Sequence, residues 1–195
     1  MLMISSSLVA NELMVDWERL WSPYDEHTYQ QALSAICSND VVLDIGAGDF
    51  RLAKRIADKA QLVYGIEIQI ELFPKEAMRE NLILVHADAQ TWPFPDHITI
   101  GVLLMRHCRH FRHYAEKLKA CGAQRLITNA RWGMGVELVD LCKLREPYAA
   151  IELGWYACWC GSVGFKPGPA EMITPSIDRT IHEVIDCPAC QSTGE

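Results

Sequence analysis

An acid and two glycines in the stretch DIGAGDF, residues 44–50, form the arrangement best suited to chemistry. Gly46 and Gly48 lack a Cβ, so the backbone can turn sharply there and approach a ligand closely. A helical pattern begins near Phe50, and the amides at a helix N-terminus point toward a ligand held in such a turn. The negative charge of Asp44 disfavours phosphate groups and suits a ligand that carries an ammonium group. S-adenosylmethionine, an amino acid joined to adenosine through a sulfonium, is such a ligand.

The third small position of a glycine-rich turn separates two classes of nucleotide ligand. A dinucleotide fingerprint reads G-x-G-x-x-G/A, because a small third residue lets helix and strand pack closely around a pyrophosphate. Arg51 stands at that position in this chain. Together with Asp44, Arg51 argues against a nicotinamide-dependent oxidoreductase, which is the least favoured of three hypotheses for function.

Four of the eight cysteines form two closely spaced pairs near the end of the sequence. Cys158-x-Cys160 and Cys187-Pro-Ala-Cys190 are separated by 26 residues, and CPAC resembles the knuckle of zinc ribbons. If the strands on either side of residues 172–173 form a hairpin, all four thiols converge at one end of it. Four thiolates complete a tetrahedral shell, so the pattern predicts a structural zinc, with free thiols or a redox pair as the alternative.

A basic stretch covers residues 106–119, after the fourth strand-like run. On a helix His107 shares one stripe with Phe111, Tyr114 and Leu118, so its side chain is predicted to face a cleft. A neutral imidazole there can accept a proton from a hydroxyl or an amine near pH 7, whereas a histidine at the edge of the core is the alternative. For the other basic residues, a solvated helix face competes with a contact to phosphate or RNA.

These residues need an architecture that brings successive strand ends together. Alternating strand-like and helical runs predict an α/β fold with a doubly wound, mostly parallel, seven-stranded Rossmann-like sheet and helices on both faces. The predicted strands cover 41–45, 62–67, 82–88, 98–105 and 124–130, and the predicted helices cover 51–60, 70–81, 110–120 and 136–144. Two N-terminal helices are predicted to flank the break at SPYDE, in which Tyr24 is a candidate lid. Beyond Pro147, GWYACWCGSVGF and RTIHEVID predict an antiparallel C-terminal hairpin.

The strand ends and the glycine turn together resemble the class I S-adenosylmethionine-dependent methyltransferases over about residues 41–131. In that family the DIGAGD turn surrounds the methionine part of the cofactor. An acid ending the second strand binds the ribose hydroxyls, which implies this role for Glu67, and an Asp after the third strand reaches the adenine amino group, which implies this role for Asp88. Capping of a helix or turn is the alternative role for Asp44 and Asp88, and a solvated strand end is the alternative for Glu67. The resemblance implies that the cofactor is bound by Asp44, Gly46, Ala47, Gly48, Glu67, Ile68, Asp88 and Ala89.

The sequence departs from related families at two places. Asp49 and Phe50 stand where Gly or Ala is usual, which leaves the shape of the loop open. Residues 66–95 also resemble the adenine dimethylases of ribosomal RNA, which hold the target amine with an Asn-(Leu/Pro)-Pro-(Tyr/Phe) turn after the fourth strand. Residues 103–111 read LLMRHCRHF instead, so a mechanism of that type is not adopted.

The methyltransferase topology further implies that the zinc lies at the sheet edge opposite the cofactor.

Length and composition predict a single folded domain. The chain has 195 residues, of which 50% are hydrophobic and 22% charged, and this composition is typical of a globular protein. We expect N-terminal helices in 1–38, a cofactor-binding core in 41–146 and the zinc hairpin in 147–195. The net charge of −7 argues against a broad nucleic-acid surface beyond the basic stretch. Without an apolar run long enough for a membrane helix, or a recognisable secretory signal, the expected location is the cytoplasm.

The sequence therefore predicts an S-adenosylmethionine-dependent methyltransferase with a structural zinc. Its acceptor, which could be a small molecule, RNA or a protein, is not specified by these residues. The competing hypothesis is a protein on the same fold without catalysis. Such a protein would bind S-adenosylmethionine only, or would use its zinc-ribbon-like end to bind RNA or a protein.

Overall fold

The computed structural model describes residues 21–76, 78–106, 108–133 and 135–192, which are built around a six-stranded sheet. Its strands are Val41–Ile45 (β1), Leu62–Glu67 (β2), Leu82–His86 (β3), Ile100–Leu103 (β4), Arg125–Thr128 (β5) and Glu137–Asp140 (β6). They lie in the order β3-β2-β1-β4-β5-β6. The first five are parallel and β6 is antiparallel to β5. This confirms the mostly parallel sheet, whereas the predicted seventh strand is not found in it within the described residues.

Helices cover both faces of the sheet, because its central strands are apolar on both sides. Helices α1 (Glu26–Ser34) and α2 (Arg51–Ala57) pack on one face with Val42. Helix α3 (Phe111–Ala120) packs on the other face with Leu43. Successive residues of a strand point to opposite faces, so neighbouring positions in β1 belong to two different cores. The predicted doubly wound arrangement is confirmed.

Helix α1 follows the predicted break at SPYDE. It begins after Asp25, whose side chain accepts a hydrogen bond from the backbone N–H of Thr28 at 2.9 Å. Such an N-cap satisfies one of the amide groups that a helix leaves unpaired at its start. The other predicted N-terminal helix lies outside the described residues.

Two predicted helices are wrong. Among its described residues, the segment 70–81 contains only a 3-10 turn over Ile70–Leu72, because Pro74 cannot donate the backbone hydrogen bond that a continuing helix needs. The segment 136–144 contains strand β6, in which Val139 is buried between exposed neighbours. Its apolar spacing fits either period, and pairing with the open edge of β5 decides for the strand.

A second, three-stranded sheet contains the C-terminal part of the chain. Strands Gly154–Cys158 (β7) and Val163–Lys166 (β8) form a hairpin, and Ile181–Val184 (β9) lies along the other side of β7. β9 is parallel to β7, so the predicted antiparallel pairing of these two segments is wrong. The cause is a turn after β7, where Gly161 has a φ of +99° that favours glycine. The chain reverses there at once, and β8 takes the antiparallel position.

Side chains join the two sheets directly. The buried guanidinium of Arg131, just after β5, donates hydrogen bonds to Glu137 on β6 and to Glu183 on β9, at 2.7–2.9 Å.

The division into segments 1–38, 41–146 and 147–195 stays a prediction. None of the helices described is long and apolar enough to cross a membrane.

Candidate functional site

A cavity of about 920 Å³ opens at the carboxyl ends of β1, β2, β3 and β4. This is the edge of a parallel sheet at which ligands bind in doubly wound folds. Seven of the eight residues predicted to bind the cofactor line the cavity, and they are Asp44, Gly46, Ala47, Glu67, Ile68, Asp88 and Ala89. The eighth, Gly48, lies beneath Trp21, whose indole occupies the space that a Cβ at Gly48 would need. Tertiary structure thus brings the predicted residues together around one space.

The glycine turn has the conformation expected of it. Gly46 and Gly48 have φ values of +71° and +56°, a region that residues with a Cβ adopt with strain. The backbone N–H groups of Gly46 and Ala47 both donate to the carbonyl of Ile66 at 2.9 Å, which fixes the turn to the end of β2. The end of the neighbouring strand β2 therefore holds the turn in shape.

Phe50, which departs from the resembling family, is accommodated by a glycine in the next strand. Its backbone has a φ of +63° and its ring is fully buried. A Cβ built on Gly65 of β2 would lie 2.8 Å from that ring, so the ring occupies the space that Gly65 leaves. The ring also contacts Phe73 edge to face, with centroids 4.8 Å apart. A bulky residue is thus tolerated in the turn without filling the cavity.

Asp44 is the most unusual acid of the site. It is buried, and its Oδ2 has no hydrogen-bond partner among the described residues. Burial, together with the negative charge of Glu67, raises the pKa of Asp44 to about 7. A carboxylate in this position gains most from a cationic partner, because a paired charge escapes the penalty of burial.

Glu67 is buried and holds the surrounding backbone. Its Oε2 accepts a hydrogen bond from the Gly48 N–H, and its Oε1 accepts from the N–H groups of Ile68 and Gln69, each at 2.9 Å. A carboxylate can accept about four hydrogen bonds, so capacity for ligand hydroxyls remains. Glu67 therefore ties the glycine turn to the end of β2 while facing the cavity.

The loop after β3 carries Asp88 and is anchored by a lysine. Asp88 Oδ1 accepts from the Gln90 N–H at 2.8 Å, as in the predicted turn-capping alternative, and Asp88 also lines the cavity. Lys117 of α3 donates to the carbonyls of Ala89, Gln90 and Trp92. Its partial burial lowers the pKa of this amine. The expected solvated helix face is therefore wrong for Lys117, and the sequence around it did not indicate that its side chain anchors this loop.

The part of the cavity beside the end of β4 is lined by cationic and aromatic side chains. The Tyr24 hydroxyl accepts from the backbone N–H of Arg106 at 3.2 Å, and the Arg106 guanidinium lies 5.1 Å from the centre of the Tyr24 ring. Arg109 and His110 line the cavity beside them. The predicted catalytic residue, His107, lies outside the described residues. The predicted lid position of Tyr24 is matched by its place at the cavity, although closure stays a prediction.

The four C-terminal cysteines converge at one point. Their sulfur atoms all lie within 4.8 Å of one another, and three of the pairs are 3.7 Å apart. A tetrahedral zinc with Zn–S bonds of about 2.3 Å requires sulfur atoms separated by about 3.8 Å. The donor set Cys158, Cys160, Cys187 and Cys190 therefore fits a closed zinc site.

The cysteines meet by a different route from the one predicted. In the parallel pair, Cys158 lies opposite Val184, and the chain continues past β9 to a turn that starts at Cys187 and leads into helix α4 (Pro188–Ser192). Burial of the Cys160 thiol would raise its pKa, but hydrogen bonds from Ser162 outweigh this and lower the pKa to about 7. Burial raises the pKa of the Cys158 and Cys190 thiols, so the fit of the cluster to zinc rests on the positions of the sulfur atoms and not on ready ionisation of the thiols.

Comparison with known proteins finds similarity in structure but not in sequence. No protein-family model and no curated protein matches the chain. It is similar to a dimethyladenosine transferase from Plasmodium falciparum, with 20% identity and a TM-score of 0.47 over 53% of this chain and 41% of that one. For a precorrin 8w decarboxylase from Methanobacterium thermoautotrophicum the values are 22%, 0.46, 55% and 63%. For phosphoethanolamine N-methyltransferase 1 from Haemonchus contortus they are 20%, 0.44, 54% and 26%.

In each pair the matched part is less than two thirds of the solved chain. Similarity at this level concerns the fold alone, and proteins that share a fold can differ in activity. The function of this chain therefore has to be inferred from its own site.

Proposed function

We propose that this protein is an S-adenosylmethionine-dependent methyltransferase. One observation carries the proposal: carboxylates at the ends of three successive strands line a single cavity together with a glycine turn. Among them Asp44 is buried with an oxygen that lacks a partner in the described part of the chain. The α-ammonium group of S-adenosylmethionine provides the cationic partner that this carboxylate needs.

Each wall of the cavity has a role toward this cofactor. Asp44 accepts a hydrogen bond from the ammonium group, and the open glycine turn leaves room for the methionine part. Glu67 accepts from the ribose hydroxyls with the lone pairs that its backbone bonds leave. Asp88 accepts from the adenine amino group, while Ala89 contacts the ring.

Methyl transfer requires alignment more than side-chain chemistry. When bound, the cofactor supplies a methyl group already activated by the sulfonium, and the protein orients the acceptor toward it. The acceptor enters from the side of the cavity that is lined by Tyr24, Arg106 and His110. The volume of about 920 Å³ is near the upper end of the range of about 300–1,000 Å³ for small-molecule sites. It leaves space for an acceptor group beside the cofactor. His107 stays the candidate base for removal of a proton from that acceptor.

Titration calorimetry tests the proposal. We expect S-adenosylmethionine and S-adenosylhomocysteine each to bind at one molecule per chain, with no heat from NAD⁺. Binding of NAD⁺ without S-adenosylmethionine would overturn it. If both adenosyl ligands bind but no product forms with a panel of RNA, protein and small-molecule acceptors, the protein is a binding protein rather than an enzyme.

We also propose that the cysteine cluster binds a structural zinc. The distances between the sulfur atoms and the closed set of four donors support this proposal. We expect one zinc per chain by elemental analysis, and loss of that zinc in Cys190→Ser. Cys142→Ser is the matched control, because Cys142 is exposed and outside the cluster. Metal-free wild-type protein that keeps the same melting temperature after zinc is added would refute the assignment.

A further inference from the structure

The residue between the first two cysteines of the cluster faces away from it. Cys158 and Cys160 direct their sulfur atoms into the cluster, while Trp159 directs its ring onto α3. The ring meets Phe111 edge to face, with centroids 6.5 Å apart. Its Nε1 donates to Glu116 at 3.3 Å, so the indole spans more than one turn of α3.

The turn that carries Cys158 and Cys160 also contacts the start of α3 through its backbone. A Cβ at Gly161 would lie 3.0 Å from the Cβ of Phe111, so the turn and the helix are in close contact. The Arg145 guanidinium lies over the Trp159 ring, 4.0 Å from its centre. Both Phe111 and Trp159 are buried, with exposed fractions of 0% and 6%. The contact is thus a packed core and not a surface touch.

The start of α3 is at the same time a wall of the cavity. Arg109 and His110 line the cavity directly before Phe111, and Tyr114 lines it one turn later. No acidic residue stands in the first turn of α3 to stabilise its N-terminus. Packing of Phe111 is therefore a main support of this helix start, since most helical stability in proteins comes from tertiary contacts.

We infer that Trp159 is a positioning residue, which transfers the rigidity of the zinc-held turn to the acceptor side of the cavity. The inference rests on the proposed function, because it assigns the zinc a role in that site. It also accounts for the C-x-C spacing. With one residue between the ligands, both cysteines reach the metal while the intervening side chain reaches α3.

Hydrogen exchange measured by mass spectrometry tests the inference on the full chain. In Trp159→Leu we expect exchange in peptides covering 108–114 to rise about tenfold or more, because local opening of the helix start becomes easier. Peptides covering the glycine turn, 44–49, are expected to keep their rates, and zinc content is expected to stay at one per chain. Trp159→Phe retains a ring against Phe111 and is expected to restore most of the protection.

Trp155→Leu is the matched control, because Trp155 lies in β7, the strand that leads into the turn, and its ring contacts Trp132 and Phe165. It is expected to leave exchange in 108–114 unchanged. Removing zinc from the wild-type protein with a chelator is expected to raise the same exchange, and this arm stands even if Trp159→Leu does not fold. Unchanged exchange in 108–114 in both arms, or an equal rise in 44–49, would overturn the inference.

The two proposals fail in distinguishable ways. If the wild-type protein does not bind S-adenosylmethionine, the proposed function fails and the exchange result still decides whether Trp159 supports α3. If S-adenosylmethionine binds equally well to wild type and Trp159→Leu but exchange does not change, only the positioning role fails.

Discussion

Among the described residues, Asp44 is the acid whose negative charge is least favourable where it lies. It is buried beside Glu67, and its Oδ2 has no hydrogen-bond partner in the part of the chain that the structure describes. Burial of a like-charged pair is unfavourable in the absence of a cation, and it becomes favourable once a cation pairs with it. The buried pair of acids therefore lowers the stability of the free protein and strengthens the binding of a cationic ligand.

The first prediction concerns the pH dependence of cofactor binding. The pKa of Asp44 in the free protein is about 7, and only the ionised carboxylate pairs with an ammonium group. We expect the affinity for S-adenosylmethionine to fall as pH drops below about 7, approaching tenfold per pH unit. Calorimetry between pH 5.5 and 8.5, chosen to span about one and a half units on each side, measures this. Asp44→Asn is expected to bind more weakly with a flat profile, and a variant profile like that of wild type would exclude Asp44 as the titrating group.

The second prediction concerns stability without ligand. The folded protein keeps the Asp44 proton up to a pH of about 7, whereas the unfolded chain loses it near the ordinary value of 3.8. The free energy of unfolding therefore falls as pH rises between these values, by about 4 kcal/mol at most. Asp44→Asn lacks this penalty and is expected to be more stable than wild type at pH above about 8. Urea unfolding at high and low pH checks this, and an advantage of equal size below a pH of about 4 would contradict the assigned cause.

At the scale of elements, the glycine turn and β2 are shaped for each other. Phe50 has a left-handed backbone and a ring that lies against Gly65. A glycine in a strand interior normally weakens the strand, and here its missing side chain makes room for the ring. The turn between β1 and α2 thus depends on a residue that follows it in the next strand.

The third prediction tests this fit. Gly65→Ala places a Cβ 2.8 Å from the Phe50 ring, and overpacking of this kind is expected to lower the free energy of unfolding by about 1–3 kcal/mol. Adding Phe50→Leu to Gly65→Ala is expected to recover part of the loss. Gly135→Ala is the control, since its Cβ would meet open space, with an expected change within about 0.5 kcal/mol. Equal effects of the two alanine substitutions would show that the contact is unimportant.

At the scale of the whole molecule, a buried arginine links the two sheets. Burial alone would lower the pKa of Arg131, but hydrogen bonds to Glu137 and Glu183 hold it above its ordinary value. Its guanidinium also lies over the ring of Phe111, 5.5 Å from the centroid. The same helix residue is thus contacted by the joint between the sheets and by Trp159.

The fourth prediction concerns this joint. Arg131→Met leaves Glu137 without its cation and leaves Glu183 with only Arg145, whose Nε lies 3.6 Å away, and it is expected to cost about 3–5 kcal/mol of stability. Adding Glu137→Gln to the same variant is expected to restore part of the loss. Arg79→Met, which removes a half-exposed pair with Asp58, serves as the control, with an expected cost below about 1 kcal/mol. Denaturant unfolding measures all three, and a cost for Arg131→Met no larger than that of the control would contradict the role of the joint.

Much of the core could be predicted from the sequence, because its signals are local. The apolar runs of β1, β2 and β4, the glycines of the turn and the periodicity of α3 all act within about ten residues. The resemblance to the class I methyltransferases implies that Asp44, Glu67 and Asp88 form one site, and this agrees with the rule that parallel strands end at the same edge of a sheet. Their shared position at the cavity follows from that rule and the order of the strands.

Other features depended on pairings that no local pattern specifies. The sequence of β6 predicts a helix, but the segment forms a strand because it pairs with the open edge of β5. The sequence of β9 predicts the second strand of a hairpin with β7, but β8 occupies that antiparallel position and β9 is parallel to β7. The roles of Lys117 and Trp159 arise only where a distant loop or helix packs against them. The residue types and spacing of the glycine turn, the three acids and the four cysteines were thus determined by the sequence itself. Which elements meet at them was decided by the tertiary structure, because side-chain periodicity encodes the face of an element and not its neighbour.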